Sequence, residues 1–348
     1  MRKIYKTVID GIGCALPEKI VTNDDLAKVM DTSDEWIRER TGIRERRVAE
    51  ADVGTSDLGV TAAKEAIKNA KCDLNDIDLV IAATLSPDYN FPGIGVLIQD
   101  KLGLKDVAGF DVRAQCSGFA WGLSAADAFI GSGQYKKILL VGAEIHSKVL
   151  EFSTWGRYIS VLFGDAAGAA VLSAHECVSS DLYPHAKNNQ ERGIIDSLMG
   201  SDGSGATSLA MLRPGMAAGY EDFVTLEDVE KKSFHPVMEG QLIYKNAVRR
   251  MSEASATLLE RNSLNASDLD LLIPHQANLR ISEALRKKLG LPEEKVINNI
   301  QKYGNTTAAT LPLCMDEAIK DGRLKPGSLV MTVAFGAGFT WGANLIRW

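Results

Sequence analysis

A thiol, an imidazole, an amide and a glycine-rich turn are the chemically capable groups of this sequence. Cys116 stands in Asp111-Val112-Arg113-Ala114-Gln115-Cys116-Ser117-Gly118-Phe119-Ala120-Trp121-Gly122, where it opens a predicted helix. At such a position unpaired N–H groups and the helix macrodipole favour the thiolate, the nucleophilic form of cysteine. A small buried hydrophobe is the other reading of a lone cysteine. His275, in Pro274-His275-Gln276-Ala277-Asn278, ends a predicted buried strand, a place that suits catalysis or a satisfied structural histidine. Asn305, in Tyr303-Gly304-Asn305-Thr306-Thr307, can serve a site or cap a helix. The run Ala334-Phe335-Gly336-Ala337-Gly338-Phe339-Thr340-Trp341-Gly342 reads as a turn between two strands. Its backbone N–H groups could face an oxyanion, or the turn could be a plain hairpin.

Hydrophobic spacing names the elements that must position these groups. Val107 to Val112 reads as a buried strand. Phe119, Leu123, Ala126 and Ile130 recur at helical spacing from Cys116 to about Ser132, with Gly131 and Gly133 as stop signals. Ile77–Leu85 and Lys137–Gly142 read as further buried strands, and Val161–Asp165 and Ala167–Leu172 as a pair around a glycine-rich turn. Ser33 can cap a helix over Asp34–Arg40 that Gly42 closes. That helix carries Trp36 and Arg40, with Arg44, Arg46 and Arg47 beyond it, a solvated basic edge or a site for the phosphates and flat base of a nucleotide-bearing ligand. Ser179–His185 is expected to be a strand, 186–235 an irregular cap or insertion, and Gly240–Asn262 a helix.

The second half repeats the first. Leu74-Asn75-Asp76-Ile77-Asp78-Leu79-Val80-Ile81 is echoed by Leu264-Asn265 and Asp268-Leu269-Asp270-Leu271-Leu272-Ile273, and Lys101-Leu102-Gly103-Leu104 by Lys288-Leu289-Gly290-Leu291. A turn and an Ala-rich helix follow in each copy, beginning at Cys116-Ser117-Gly118-Phe119 and Asn305-Thr306-Thr307-Ala308. The pattern describes a duplicated, layered α/β unit, with halves 1–175 and 176–348. It puts Cys116 and Asn305 at equivalent helix starts facing one interface, where pockets commonly form.

Bulk properties exclude several classes. The 348 residues are 45% hydrophobic and 24% charged, ordinary for a globular protein. A net charge of −6 argues against nucleic acid or an anionic membrane as principal partner. No apolar run approaches the ~20 residues of a membrane span. Five scattered cysteines without a C-x-x-C pair fit a reducing cytoplasm and no structural zinc. Gly11-Ile12-Gly13 lacks the third glycine of a dinucleotide fingerprint.

Taken together, these stretches resemble the thiolase superfamily and, within it, the β-ketoacyl-acyl-carrier-protein synthase III family. The resemblance spans essentially the whole chain. It rests on Glu35-Trp36-Ile37, Arg40-Thr41-Gly42-Ile43, Cys116-Ser117-Gly118-Phe119, Leu162-Phe163-Gly164-Asp165, Pro274-His275-Gln276-Ala277-Asn278, Gly304-Asn305-Thr306 and Phe335-Gly336-Ala337-Gly338-Phe339-Thr340-Trp341-Gly342, in that order.

The resemblance implies a five-layer αβαβα fold, a cytoplasmic homodimer and a two-stage reaction without a cofactor or metal. Cys116 takes the acyl group of an acyl-CoA. Malonyl-acyl carrier protein then decarboxylates, with His275 and Asn305 donating to its thioester carbonyl, and the carbanion attacks acyl-Cys116. Backbone N–H groups of Cys116 and Ala337 resemble the oxyanion hole. Trp36, Arg40 and Arg157 resemble contacts to the CoA nucleotide, and Gly240, Ala277 and Asn278 contacts to pantetheine. Phe91 resembles a residue that reaches across the dimer to line the partner's acyl pocket, which Phe335 also lines. Lys245, Arg280, Lys287 and Lys288 resemble the basic face that receives the acidic carrier protein, and equally suit a solvated helix face.

Gly156, Ala166 and Gln241 depart from the family pattern around the acyl and CoA channel, which leaves the primer open between acetyl and branched, longer or aromatic groups. A specialised pathway, plain acyl transfer and a non-catalytic condensing-enzyme partner are the competing readings. The retained Cys116, His275 and Asn305 argue against the last.

Overall fold

The computed structural model describes residues 4–177, 191–217 and 224–348. In chain order the first half forms β1 (Ile4–Ala15), β2 (Lys19–Thr22), α1 (Asn23–Ala27), α2 (Asp34–Thr41), β3 (Glu45–Val48), α3 (Thr55–Ala70), β4 (Leu79–Ala83), α4 (Ile94–Lys101), β5 (Ala108–Val112), α5 (Gly118–Gly131), β6 (Lys137–Glu144), α6 (Arg157–Ser160) and β7 (Ala166–Cys177). The second forms β8 (Gly193–Ser201), β9 (Leu209–Ala210), α7 (Leu226–Glu230), β10 (Val237–Met238), α8 (Gly240–Arg261), β11 (Leu271–Pro274), α9 (Leu279–Leu289), α10 (Ile300–Tyr303), α11 (Thr310–Lys320), β12 (Leu329–Gly336) and β13 (Thr340–Arg347).

Two sheets carry the molecule. Among the described residues the first has the order β1-β7-β6-β4-β5 and the second β11-β12-β13-β8. Helices α5 and α11 lie between them, α3 and α4 cover the outer face of the first, and α8 and α9 that of the second. This is the five-layer αβαβα fold. A helix between two sheets is apolar nearly all round, and α5 (Gly118-Phe-Ala-Trp-Gly-Leu-Ser-Ala-Ala-Asp-Ala-Phe-Ile-Gly131) fits that demand. Phe119, Leu123 and Ile130 from α5 join Ile273, Leu311 and Met315 in one buried cluster across the midline. Gly122 permits the close approach, because a Cβ there would lie 2.4 Å from Leu140 Cδ1 of β6.

The duplication is visible in detail. The same step along the chain separates Leu74 from Ala266, Leu79 from Leu271, Gly118 from Thr310 and Lys137 from Leu329, each pair starting equivalent elements. Asp78 accepts the N–H of Lys137 at 3.0 Å, and Asp270 that of Leu329 at 2.7 Å, so one carboxylate pins the neighbouring strand in each sheet. Gly103 and Gly290 both take positive φ, +78° and +67°, where each Lys-Leu-Gly-Leu helix end turns off its axis.

Several expectations change. The strand expected from Val107 to Val112 to be buried is the partly exposed edge of its sheet, with Phe110 37% exposed. Val161–Asp165 makes no strand pair with Ala166–Cys177; it follows α6 as a turn, joined to the second half by a single bridge between Phe163 and Asn305. Arg46, expected on a basic edge, is 1% exposed and donates to Asn23 Oδ1 and the carbonyls of Val21 and Val161. The stretch expected to be irregular at 186–235 supplies β8, the edge strand of the second sheet, paired with β13. Gly, Ser and Asp interrupt its alternation, which hides the strand from a periodicity argument. The expected strand Ser179–His185 lies outside the described residues.

Candidate active site

Cys116 sits in a 3-10 turn, Gln115–Ser117, that feeds α5, so the helix proper starts two residues later than the sequence predicts. The backbone N–H groups of Cys116 and Ala337 and the hydroxyl of Thr307 are close enough to favour its thiolate. Despite these donors the thiol is pushed up to about 12, first by burial and then by the nearby Glu144 carboxylate. Burial thus works against the thiolate preference expected from the helix end. Desolvation in a closed site outweighs a partial dipole charge and a few hydrogen bonds.

His275 follows β11, its N–H donating to the Val333 carbonyl at 2.8 Å. It is 2% exposed, and neither ring nitrogen has a hydrogen-bond partner among the described residues. Burial pulls its imidazole down to about 3, so the ring is neutral at any physiological pH. A buried polar group without a partner is costly and needs an explanation. A ligand with an acceptor atom supplies one.

Asn305 is fixed from both sides. Its backbone N–H donates to the Leu162 carbonyl at 2.8 Å, and its carbonyl accepts from Gly164 at 3.1 Å. Its side-chain oxygen accepts the Thr307 N–H at 2.9 Å. That bond assigns the amide: oxygen toward the backbone, NH2 left to donate. Asn305 is thus held as a positioned donor rather than as the N-cap of α11, which begins at Thr310 behind a 3-10 turn, Thr307–Ala309. The equivalence of Cys116 with Asn305 shifts accordingly. Gln115 and Thr307 start the two corresponding turns, which pairs Cys116 with Ala308 and leaves Asn305 upstream.

Cys116, His275, Asn305, Phe335 and Ala337 share one cavity of about 1120 Å³. It runs outward past Gly240, Ala277 and Asn278 to Trp36 and Arg40, with Lys245 and Arg280 also on its wall. Trp36 is stacked by guanidinium groups, Arg40 at 4.5 Å and Arg157 at 5.5 Å from the ring centroid. Arg157 is itself held by Asp31 at 3.0 Å. Asn278 also braces the site from below. Its side-chain oxygen caps α9 at the Arg280 N–H and its NH2 donates to the Arg40 carbonyl, 2.9 Å each. Lys287 and Lys288 lie exposed on the last turn of α9, away from the cavity wall, and Phe91 is 86% exposed. Gly156 follows from packing, since a Cβ there would lie 2.1 Å from the Glu151 carbonyl oxygen.

Two buried groups beside the cysteine escape a reading of the sequence. Glu144 accepts Ser86 Oγ at 2.7 Å, the N–H groups of Leu85 and Ser86 and the Thr84 hydroxyl, and burial raises its carboxyl to about 7. His146 lies 4.0 Å from Glu144, with its Nε2 2.5 Å from Thr307 Oγ1. The available signal is Glu144-Ile145-His146 at the end of a buried strand, two titratable groups on one face.

The sheets, the paired central helices and a buried cysteine facing histidine and asparagine define a thiolase-fold condensing enzyme. Comparison with known proteins narrows this. The family descriptions 3-oxoacyl-[acyl-carrier-protein] synthase III and its C-terminal region match residues 110–203 and 259–348. The chain is 45% identical over 338 residues to the β-ketoacyl-[acyl-carrier-protein] synthase III of Caldanaerobacter subterraneus subsp. tengcongensis, covering 97% of this chain and 96% of that one. It is 47% identical to that of Listeria monocytogenes, covering 97% of each. The crystal structure of 3-oxoacyl-[acyl-carrier-protein] synthase III from Aquifex aeolicus superimposes with a TM-score of 0.85 at 40% identity, covering 98% of this chain and 100% of that one. The priming β-ketosynthase of the R1128 polyketide pathway gives 0.85 at 31% identity, covering 100% of this chain and 98% of that one. The chain belongs to the β-ketoacyl-acyl-carrier-protein synthase III family. It is an acyltransferase, a condensing enzyme that initiates fatty acid synthesis.

Proposed function

We propose that Cys116 takes an acyl group from acyl-CoA and that His275 and Asn305 then drive decarboxylative condensation with malonyl-acyl carrier protein. The observation that carries this assignment is the shared cavity, which Cys116, Ala337, Asn305 and His275 line together, the neutral His275 ring having no hydrogen-bond partner among the described residues. A thiol suits both acylation and later departure. Negative charge grows on the thioester oxygen as carbon dioxide leaves, and preorganised donors stabilise charge that develops in the transition state. A neutral imidazole and an amide do so without protonating the carbanion. No step calls for a cofactor or a metal.

The stacked Trp36, Arg40 and Arg157 suit the adenine and phosphates of CoA, and Gly240, Ala277 and Asn278 suit its pantetheine arm. Lys245 and Arg280, with Lys287 and Lys288 beyond, suit an acidic carrier protein. The exposed Phe91 and the open edge at β5 favour a homodimer in which Phe91 enters the partner's pocket. The divide expected at 175/176 falls inside β7, which runs to Cys177, so the first of the duplicated halves takes in that whole strand. Work in the cytoplasm is part of the same reading; among the described residues no helix is long and apolar enough to cross a membrane.

Intact-protein mass spectrometry after incubation with short, branched, long and aromatic acyl-CoAs tests the assignment. An adduct on Cys116 with one acyl class is expected and names the primer. Acylation that persists in Cys116→Ala sinks the nucleophile assignment. No adduct with any CoA ester points to a carrier-protein donor.

A further inference from the structure

The imidazole of His275 is aimed without help from its own nitrogens. Neither has a hydrogen-bond partner among the described residues, so the place of the ring follows from the backbone that carries it. The His275 N–H, donating to the Val333 carbonyl of β12 at 2.8 Å, fixes that backbone on one side. The next residue fixes it on the other. Gln276 is 2% exposed, and the cavity is lined by His275 and Ala277 but not by Gln276 between them. A buried amide has an NH2 and an oxygen to satisfy, and this one turns both toward the segment 297–300. Its NH2 donates to the carbonyls of Pro274 at 2.8 Å and Ile297 at 3.1 Å, with Asn298 Oδ1 3.4 Å away. Its oxygen accepts the N–H groups of Asn299 at 3.1 Å and Ile300 at 3.2 Å.

Ile300 begins α10, which ends at Tyr303 and leads through Gly304 into Asn305. Gln276 therefore joins the strand end that carries His275 to the short helix that delivers Asn305. Thr84 holds the same place after β4 in the first half, and its hydroxyl goes instead to Glu144 and the Ser86 N–H. Other bonds seat the segment against its surroundings. The Ile297 N–H donates to the Leu272 carbonyl at 3.0 Å, Ser282 Oγ to Asn298 Oδ1 at 2.6 Å, and Cys314 Sγ to Asn299 Oδ1 at 3.3 Å. The Gln276 amide is the group that ties this segment to the residue beside His275.

We propose that Gln276 is a positioning residue, holding His275 and Asn305 at the separation and angle at which both donate to one thioester oxygen. The inference rests on the donor roles given to those two residues above. The Asn305 side chain is already oriented by the Thr307 N–H at 2.9 Å, so the relation between the two chain segments is what remains to be fixed. Donors stabilise a developing charge only when they are in place before it appears, and a misplacement of about 1 Å costs on the order of 100-fold in rate. Gln276 acts on decarboxylation and leaves the acylation of Cys116 alone, because acylation draws on the N–H groups of Cys116 and Ala337 instead.

The test compares wild type with Gln276→Met, Gln276→Glu, His275→Ala and the double variant carrying both His275→Ala and Gln276→Met, each checked for fold by circular dichroism. Acylation of Cys116 by acyl-CoA is read by rapid-quench intact mass. Carbon dioxide release from malonyl-acyl carrier protein is read separately, on acylated and on free enzyme. Gln276→Met keeps the length of the side chain and removes the amide. It is expected to slow carbon dioxide release about 10- to 100-fold, with KM for malonyl-acyl carrier protein and the acylation rate within about threefold of wild type. Gln276→Glu keeps the two accepted bonds and loses the donated ones, so it carries the test where Gln276→Met does not fold, with a fall of about tenfold expected. Because Gln276 works through His275, the double variant is no more than about threefold slower than His275→Ala. A side chain that merely fills the core gives another pattern: no change, or equal falls in both half-reactions, or losses that multiply in the double variant. Any of these overturns the inference. Failure of the donor assignment looks different, since His275→Ala then releases carbon dioxide at the wild-type rate, and the inference falls with it.

Discussion

Gln115 and Thr307 are the same residue of the repeated unit. Each opens a 3-10 turn before a central helix, and each has positive φ, +46° and +51°. The residues before them, Ala114 and Thr306, have φ −123° and −99° with ψ +22° and +20°. The duplication thus brought one strained turn to the midline twice. One copy presents the thiol, and the other, two residues after Asn305, presents a buried hydroxyl 2.5 Å from His146 Nε2.

That strain is measurable. Glycine adopts this conformation without steric cost, so Gln115→Gly keeps stability within about 1 kcal/mol of wild type by urea unfolding. A β-branched residue conflicts with it, so Gln115→Val loses about 1–3 kcal/mol. Equal stability of the two variants speaks against strain at this turn.

Asn305→Asp separates shape from donation. The new carboxylate still accepts the Thr307 N–H but has no NH2 to offer the thioester oxygen. Loss of one such donor costs about 100- to 1000-fold, so condensation falls by that order while the acyl-enzyme still forms. Rapid-quench measurement of both half-reactions checks this, and loss of acylation instead assigns Asn305 to the cysteine.

Glu144 makes stability depend on pH in the direction opposite to a salt-bridged acid. Its folded-state pKa, about 7, lies above the ordinary 4.5, so the native protein holds a proton that the unfolded chain has released. The contribution is complete below 4.5 and is lost as pH rises through 7, amounting to about 3 kcal/mol. Urea unfolding at pH 5 and pH 8 is expected to register this loss, and Glu144→Gln to abolish it. The same variant removes a negative charge near Cys116, so alkylation of the thiol at pH 8 speeds up.

Trp36→Ala tests the nucleotide end of the cavity. Stacking of this kind contributes about 0.5–2 kcal/mol, so KM for acyl-CoA rises severalfold to about thirtyfold. KM for an acyl-pantetheine without the nucleotide stays near wild type. An equal rise for both substrates refutes a nucleotide contact.

The legible parts of this molecule are those coded locally. Ser33 accepts the Trp36 N–H and Gly42 takes φ +83°, so α2 begins and ends where its cap residues say. β4 is buried at every position, as its unbroken apolar run demands. The strands that mislead are those whose burial depends on distant partners. β5 carries an apolar sequence but lies at a sheet edge, whereas β8 carries a mixed one and still pairs with β13.

The sequence by itself determined the duplicated α/β plan, the layer-forming helices and the identity of Cys116, His275 and Asn305 as the groups to watch, because periodicity, caps and side-chain chemistry are local properties. Only the tertiary structure decided their electrostatic state. Cys116 is protonated because α5 lies between two sheets, which strips the sulfur of solvation, and His275 is neutral for the same reason. It also decided which groups meet. Thr307 reaches His146 because the two halves fold face to face, and no spacing along one chain encodes a contact made across that interface.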